Sequence, residues 1–390
     1  MVAPSRGFPD SEYRARLARA QRAMNAAGID ALLLSTEADI RWFTGFLTDF
    51  WQSPTRPWFL VVPADGKPVA VIPSIGEPCM RRTWIDEVRT WSSPAPLDDG
   101  VTLLAEALID LAGVAARIGL PMGTGTHLRM PVADHGRLRS LLPTASWVDA
   151  TQVLTRLRAI KSAAEIDKIR YTATAAGRAF AQVPTLVSAG MSDIEAFRAF
   201  RIACLQAGVD QVDYLVGAAG EGGYGDIISP PSGRTLATGD VLILDTGCSH
   251  DGYFCDFDRN WSIGGADAAV DAAYRIAWQA TEAGLAAARP GALCCEVFDA
   301  MHAVLSPHAV ATAGEVGRLG HGLGTQLTEP PSLIACERTE LVPGMVMTLE
   351  PGYAFAPGRW MVHEENIVIT ETGCQLLSER ACERLPRIDG

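Results

Sequence analysis

Two pairs of carboxylates in the C-terminal half are arranged symmetrically about turn sequences. Asp245 and Asp256 are centred on His250-Asp251, inside Ser249-His250-Asp251-Gly252, and Glu350 and Glu364 are centred on Pro357-Gly358. If each segment folds as a β-hairpin, each pair becomes directly opposed across two strands. Opposed residues have Cβ atoms about 4.5–5.5 Å apart, and like charges there are destabilising. Two such pairs in one region call for compensation, which two divalent cations would supply. Asp245 follows Val241-Leu242-Ile243-Leu244, and Glu350 follows Val346-Met347-Thr348-Leu349. Both therefore end apolar strands, where a buried carboxylate needs a partner or a metal. Asp251 is accounted for by turn chemistry. Asp258, two residues beyond Asp256, shares its face, whereas Glu365 points away from Glu364 and reads as a solvated or salt-bridged surface group.

Between the hairpins lies Gly-His-Gly-Leu-Gly-Thr-Gln-Leu-Thr-Glu-Pro-Pro-Ser, residues 320–332. His321 sits between two glycines, which permit close backbone approach to a ligand. Four carboxylates and one imidazole form a mixed oxygen and nitrogen set. That set suits Mn2+, Zn2+, Co2+ or Fe2+ better than Ca2+ or a thiolate-bound metal. Two such ions about 3.5–4 Å apart activate a bridging water and polarise an electrophile.

These residues need elements to hold them. Residues 11–28 read as a helix stopped by Gly28. The runs 31–35, 58–64 and 68–73 are short, apolar and β-branched, as buried strands are, with Asp65-Gly66 turning between two of them. Helices are expected at 100–114 and 132–141, so residues 1–152 form an α/β domain. Its turns contain no GxGxxG, which removes the dinucleotide fingerprint. A helix-rich stretch from Leu154 to Gly208 opens a second domain, 153–390. It continues with strands from Val241, helices at 267–288 and 294–305, and strands near 345–350 and 362–370. Without a βαβ rhythm this second domain is α+β.

Composition excludes some functions. With 33 basic against 45 acidic residues the net charge is -12, which disfavours nucleic acid and anionic membranes as partners. No apolar run approaches the roughly 20 residues that span a bilayer. Residues 1–13 lack the pattern of a signal peptide. The nine scattered cysteines, without CxxC spacing, suit a cytoplasmic protein with reduced thiols.

The order Asp, Asp, Gly-His-Gly-Leu-Gly, Leu-Glu-Pro-Gly, Glu, with ligand spacings of 11, 65, 29 and 14, resembles the pita-bread metallohydrolases, the M24 peptidase family. The spacings are closest to its prolidase and aminopeptidase P branch. Residues 154–170 resemble that branch's entry into the catalytic domain, and residues 11–46 resemble its creatinase-type N-terminal domain. The resemblance implies a smaller creatinase-like domain, a pita-bread catalytic domain and a homodimer. It implies two metal ions held by Asp245, Asp256, His321, Glu350 and Glu364, with Glu350 as proton shuttle and His321 beside it among the catalytic groups.

Two positions depart from the family pattern. Thr328 stands where family peptidases carry a second histidine, seven residues after the metal histidine. Ile228 or Ser229 stands where another histidine precedes the first metal strand. Each such donor is worth roughly 10²–10³ in rate. The leading reading is an Xaa-Pro dipeptidase or aminopeptidase cleaving a C–N bond in a small substrate through a metal-bridging water. Its rivals are a non-peptidase of the same fold (a dimethylsulfoniopropionate lyase, or an ectoine- or creatine-type amide hydrolase) and a non-catalytic binding module. Asp258, where many family members carry threonine, is a candidate extra base or substrate contact. Tyr224, in a Gly-rich run, is a candidate pocket residue. Trp51, in the aromatic stretch 41–59, is either core or interface, or, as the resemblance implies, part of an aromatic wall that a neighbouring subunit's N-terminal loop brings to the site.

Overall fold

A computed structural model describes residues 2–53, 56–310 and 317–389. The chain divides into two compact units, residues 5–158 and residues 159–390 with the first few residues.

The first unit is a six-stranded mixed sheet between helices. Its strands are β1 (Ala31–Leu34), β2 (Phe59–Pro63), β3 (Val69–Pro73), β4 (Glu87–Trp91), β5 (Arg117–Leu120) and β6 (Ser146–Asp149), in the order β4-β3-β2-β1-β5-β6. Alternation sorts the side chains of β1 to β3 into two cores. Leu32, Leu34, Leu60, Val62, Ala70 and Ile72 face a cluster that includes Leu17, Ala20 and Met24 of α1 (Asp10–Ala27). Ala31, Leu33, Phe59, Val61, Val69 and Val71 face Leu104, Ala107 and Leu108 of the helix Val101–Ala112 and Leu138 of the helix Val132–Leu141. Burial on both faces explains why these strands read as continuous apolar runs. The remaining helices of the unit are α2 (Glu37–Thr44), α3 (Glu77–Met80), α4 (Val101–Ala112) and α5 (Val132–Leu141), and α6 (Thr151–Ala159) leads out of it.

The second unit begins with α7 (Ala163–Phe180), α8 (Val183–Leu186) and α9 (Asp193–Ala207). Capping boxes formed by Ser162 with Glu165 and by Ser192 with Glu195 start α7 and α9. They pack beside β7 (Gln211–Glu221) and β8 (Asp240–His250). The first sheet adds β9 (Tyr253–Phe254) and β10 (Phe257–Ile263), and its order ends with β18, Arg387–Ile388, beside β10. Then come α10 (Ala268–Ala287) and α11 (Cys294–Leu305). The second sheet follows, with β11 (His321–Gly322), β12 (Glu329–Ser332), β13 (Val346–Leu349), β16 (Glu365–Ile369) and β17 (Cys374–Leu376). A ribbon of β14 (Gly352–Ala356) and β15 (Arg359–Val362) extends from β13 and β16. Helix α10 turns an alanine-rich stripe, Ala273, Ala277 and Ala280, into a core shared with α11, β13 and the ribbon. No described helix is long and apolar enough to cross a membrane.

The two hairpins differ from each other in register. On the second, Leu349 pairs with Glu365 and Gly352 with Val362, so continuity of the register sets Glu350 opposite Glu364. On the first, the turn residues are Asp251 and Gly252, both with positive φ (50° and 76°), an Asp-Gly pair of the kind a tight hairpin turn favours. This turn lies one residue later than His250-Asp251, so every pairing moves by two. Asp245 is opposed by Asp258 and not by Asp256. Because side chains alternate with a period of two, Asp256 stays on the same face.

Asn366 ties the two sheets together. Its side-chain oxygen accepts from the Asp256 N–H at 3.0 Å, its side-chain amide donates to the Asp256 carbonyl, and its own N–H donates to Ser378 Oγ at 3.0 Å. Asn366→Ala leaves two buried backbone groups of Asp256 without partners and is expected to cost about 2–4 kcal/mol. An earlier denaturation midpoint for the C-terminal unit checks this, and an unchanged midpoint rejects the tie.

Candidate metal centre

Asp245 lies on the central strand β8, between β7 and β10, after four fully buried apolar residues. Asp256 and Asp258 flank Phe257 on the return strand. Glu350 immediately follows β13 and its N–H donates to the Leu319 carbonyl at 3.0 Å, while Glu364 immediately precedes β16. His321 is 1% exposed, and its N–H donates to Thr348 Oγ1 at 3.0 Å. The sheets thus bring Asp245, Asp256, His321, Glu350 and Glu364 to one place, with Asp258 among them.

The flanking glycines serve packing. A Cβ on Gly320 would lie 2.4 Å from the Thr348 carbonyl oxygen, and one on Gly322 would lie 2.9 Å from that of Pro330. Close approach here is between neighbouring strands, not to a ligand. The Gly322 carbonyl also accepts from His321 Nδ1 at 2.8 Å. A carbonyl can only accept, so Nδ1 carries the proton and Nε2 turns a lone pair inward, as a metal-binding imidazole requires. Nε2 is 3.4 Å from Asp256 Oδ2 and 3.7 Å from Glu350 Oε2; without a metal it bonds Asp256 when protonated, and a metal would take the place of that proton.

The donor set fits a metal. Ligand atoms of Asp256, His321 and Glu364 all lie within 4.8 Å of one another. Asp245 Oδ1, Asp258 Oδ2 and Glu364 Oε1 are shut off from solvent with no hydrogen-bond partner. Orphaned carboxylate oxygens are costly in a protein interior, and cations are the partners that would satisfy them together. Burial, reinforced by the neighbouring carboxylate charges, holds Asp245 and Glu364 well above the usual carboxylate range. Burial also raises Asp256 and Glu350, although the bond to His321 opposes it for Asp256 and the charge of His321 opposes it for Glu350. Burial pushes Asp258 up to about 7. His321 is raised above its ordinary value, since its bond to Asp256 and the charge of Glu350 outweigh its burial.

A cavity of about 510 Å3 opens onto Asp245, Asp258, Glu350 and Glu364. Tyr214, Ile228, Arg318 and Ser332 also line it. Burial, then the charge of Asp245, raises the Tyr214 phenol, so it stays protonated and can donate. Arg318 Nε donates to Glu350 Oε1 at 3.0 Å.

Four expectations change. Thr328 is exposed on the bend before β12 and is not part of the cavity wall. Tyr224 is not a pocket residue. It is 1% exposed, its hydroxyl donates to Asn260 Oδ1 at 2.8 Å, and the same oxygen accepts from the Val362 N–H. Trp51 packs in the core of the first unit beside Phe46 and Trp58, with the Arg129 guanidinium over its ring. Glu365 is fully buried, paired with Arg259 at 3.0 Å and Arg380 at 3.1 Å. Sequence reasoning passes over Tyr214, Arg318 and Ser332. Arg318, three residues before His321, and Ser332, at the end of the same glycine-rich segment, carry the only such signal.

Fold and site define a mixed α/β, two-domain metallohydrolase. Residues 167–371 match the model of metallopeptidase family M24, and residues 16–160 match the creatinase/prolidase N-terminal domain. The chain belongs to metallopeptidase family M24 and is a metal-dependent hydrolase with a creatinase-type N-terminal and a pita-bread C-terminal domain. It is 32% identical over 371 residues to a probable dipeptidase PepE of Mycobacterium tuberculosis, covering 95% of each chain. Its fold matches the crystal structure of dipeptidase PepE from Mycobacterium ulcerans with a TM-score of 0.85 and 29% identity, over 98% of this chain and 100% of that one. A prolidase from Thermococcus sibiricus matches in fold with a TM-score of 0.85 at 22% identity, over 98% and 100%.

The raised carboxylates fix the sign of a pH effect. A carboxylate whose folded pKa is raised stabilises the fold while protonated, and this contribution is lost as pH rises through the raised value. Metal-stripped protein is therefore expected to melt higher at about pH 6 than at about pH 8, as Asp258 and its neighbours ionise. Added Mn2+ should remove or reverse that fall. Melting scans at the two pH values, with and without metal, check it, and a metal-free melting point that rises with pH contradicts it.

Proposed function

We propose that this chain is a dinuclear dipeptidase that hydrolyses small dipeptides, Xaa-Pro among them, in the cavity above the carboxylate cluster. The observation that carries the reading is the convergence of four acidic groups and His321 Nε2 on one sheltered site, with buried carboxylate oxygens of Asp245 and Glu364 that have no hydrogen-bond partner. The cavity falls within the usual range of small-molecule sites, about 300–1,000 Å3. The PepE relatives named as dipeptidases support the peptide substrate.

Asp245, Asp256, His321, Glu350 and Glu364 would hold the metal ions. When bound, such ions supply Lewis acidity and an activated water. Glu350 ends a strand at the cavity wall and is the group placed to take the proton of the attacking water. It would then pass that proton to the leaving amine nitrogen as the C–N bond breaks. The protonated Tyr214 hydroxyl and Ser332 are the donors the cavity offers to the carbonyl oxygen as it gains charge. The Gly322 carbonyl keeps His321 in the ligating tautomer throughout. The nine cysteines are unpaired, which suits a reducing, cytoplasmic setting.

A second reading rests on one observation. Among the described residues, the cavity wall carries no histidine outside the ligand set, and Ile228 faces the cavity instead. Such a wall also suits a small non-peptide amide or an elimination substrate.

The test is a side-by-side assay of Xaa-Pro and other dipeptides, creatine, ectoine and dimethylsulfoniopropionate with Mn2+-, Co2+- and Zn2+-loaded protein. Dipeptide turnover is expected, and turnover of a non-peptide alone rejects the dipeptidase. Elemental analysis of the loaded protein is expected to find about two metal ions per chain. Asp256→Ala is expected to lower that content and abolish turnover while the N-terminal unit keeps its melting transition. Full activity in this variant would reject the ligand assignment.

A further inference from the structure

We propose that Asp258 is a metal ligand in its own right, forming with Asp245 and Glu364 an all-oxygen position for one of the two ions; this rests on the dinuclear reading above. The register sets Asp258 directly opposite Asp245 across β8 and β10. Opposed residues have Cβ atoms about 4.5–5.5 Å apart. Both carboxylates line the cavity, together with Glu364. Asp258 is 1% exposed, and its two oxygens are in different circumstances. Oδ1 accepts from the Glu364 N–H at 3.2 Å. Oδ2 is shut off from solvent without a hydrogen-bond partner, as are Asp245 Oδ1 and Glu364 Oε1. Arg259, the next residue, does not relieve it. Its guanidinium bonds the backbone carbonyls of Asp258 and Glu364 and the carboxylate of Glu365. A buried carboxylate oxygen left in this way needs a cation, and Asp258 Oδ2 is the one such oxygen outside the five ligands assigned above.

The donors divide the centre into unlike halves. Ligand atoms of Asp256, His321 and Glu364 lie within 4.8 Å of one another, which offers one ion an imidazole nitrogen. The orphaned oxygens belong to Asp245, Asp258 and Glu364, which offer the other ion oxygen only. Glu364 belongs to both groups and joins them. Carboxylates suit Mg2+ and Mn2+, whereas imidazole suits Zn2+. Asp258 adds a charge and a hard donor to the half without nitrogen, so its loss should weaken Mn2+ binding more than Zn2+ binding.

The competing role for Asp258 is purely positional, holding Glu364 through its N–H. Asparagine separates the two roles, because it carries a single side-chain oxygen. If that oxygen keeps the Glu364 N–H, an –NH2 group, which cannot ligate a cation, takes the place of Oδ2. Metal-stripped wild type, Asp258→Asn and Asp258→Thr are titrated calorimetrically with Mn2+ and, separately, with Zn2+, and the loaded proteins are analysed for metal content. Melting scans of the metal-free proteins confirm the fold, and neither variant is expected to melt below wild type, because each removes a buried acid. Wild type is expected to bind about two Mn2+ per chain. In both variants one Mn2+ should be lost or weakened by at least about 10–100-fold while the other is retained. If Asp258→Asn keeps both ions at wild-type affinity, whatever Asp258→Thr does, Asp258 is positional and the proposal is overturned, with the dinuclear reading intact. Equal weakening of both ions overturns it too. A wild type that binds one ion or none defeats the dinuclear reading itself, and the proposal with it.

Discussion

Mutual repulsion among buried carboxylates is the constraint around which the second unit is built. Asp245, Asp256, Asp258, Glu350 and Glu364 converge on one place, and three of them present an oxygen with neither solvent nor a hydrogen bond. Two unit charges 4 Å apart in a protein-like medium repel by about 4 kcal/mol. A fold of ordinary stability, about 5–15 kcal/mol, cannot carry several such terms uncompensated. The surroundings answer the problem by rigidity. Arg259 Nη1 bonds the Glu364 carbonyl at 2.9 Å, the Glu364 N–H bonds Asp258 Oδ1 at 3.2 Å, and Asn366 binds both backbone groups of Asp256. The acids are pinned through their backbones, which leaves the outward oxygens free for cations.

That arrangement also explains the full burial of Glu365. Beside a cluster of acids, one more carboxylate in the interior would be untenable alone. It is held by Arg259, Arg380, Ser378 and the Ala381 N–H. The two arginines thus satisfy Glu365 on one face of β16, while the opposite face presents Glu364 to the site. The alternation of a strand separates a structural carboxylate from a functional one by a single residue.

Much of this is legible in the sequence, for physical reasons that also mark where legibility stops. The second hairpin can be centred from its residues, because Gly358 at its tip takes the positive φ (69°), and the register irregularity near Ala354 to Ala356 leaves the pairing of Gly352 with Val362 in line with that of Leu349 with Glu365. The first hairpin misleads by one residue. Asp251 itself adopts φ 50°, so the turn pairs it with Gly252 and the carboxylate facing Asp245 becomes Asp258. The error leaves the face unchanged, which is why the five ligand candidates still converge. What the sequence does not convey is the third dimension of aromatic and polar loop residues. Tyr224 and Trp51 have the same composition cues as pocket residues, yet one completes a hydrogen-bonded core and the other an aromatic cluster. Thr328 occupies a position of interest in the chain but faces solvent. Arg318 matters through a contact across two strands, which no spacing within its own segment encodes.

Counting charge sharpens what the site admits. Were the five acids to ionise around bound metal, two divalent cations would neutralise four of them and the Arg318 guanidinium would offset the fifth. His321 is a neutral ligand once its Nε2 lone pair is committed. A dipeptide at neutral pH is a zwitterion, bringing one charge of each sign, so it enters without tilting this balance. A monoanion lacking the ammonium would leave one negative charge uncompensated in a low-dielectric cavity. The carboxylate cluster, introduced as a demand for metal, would therefore also bear on the charge that the cavity admits.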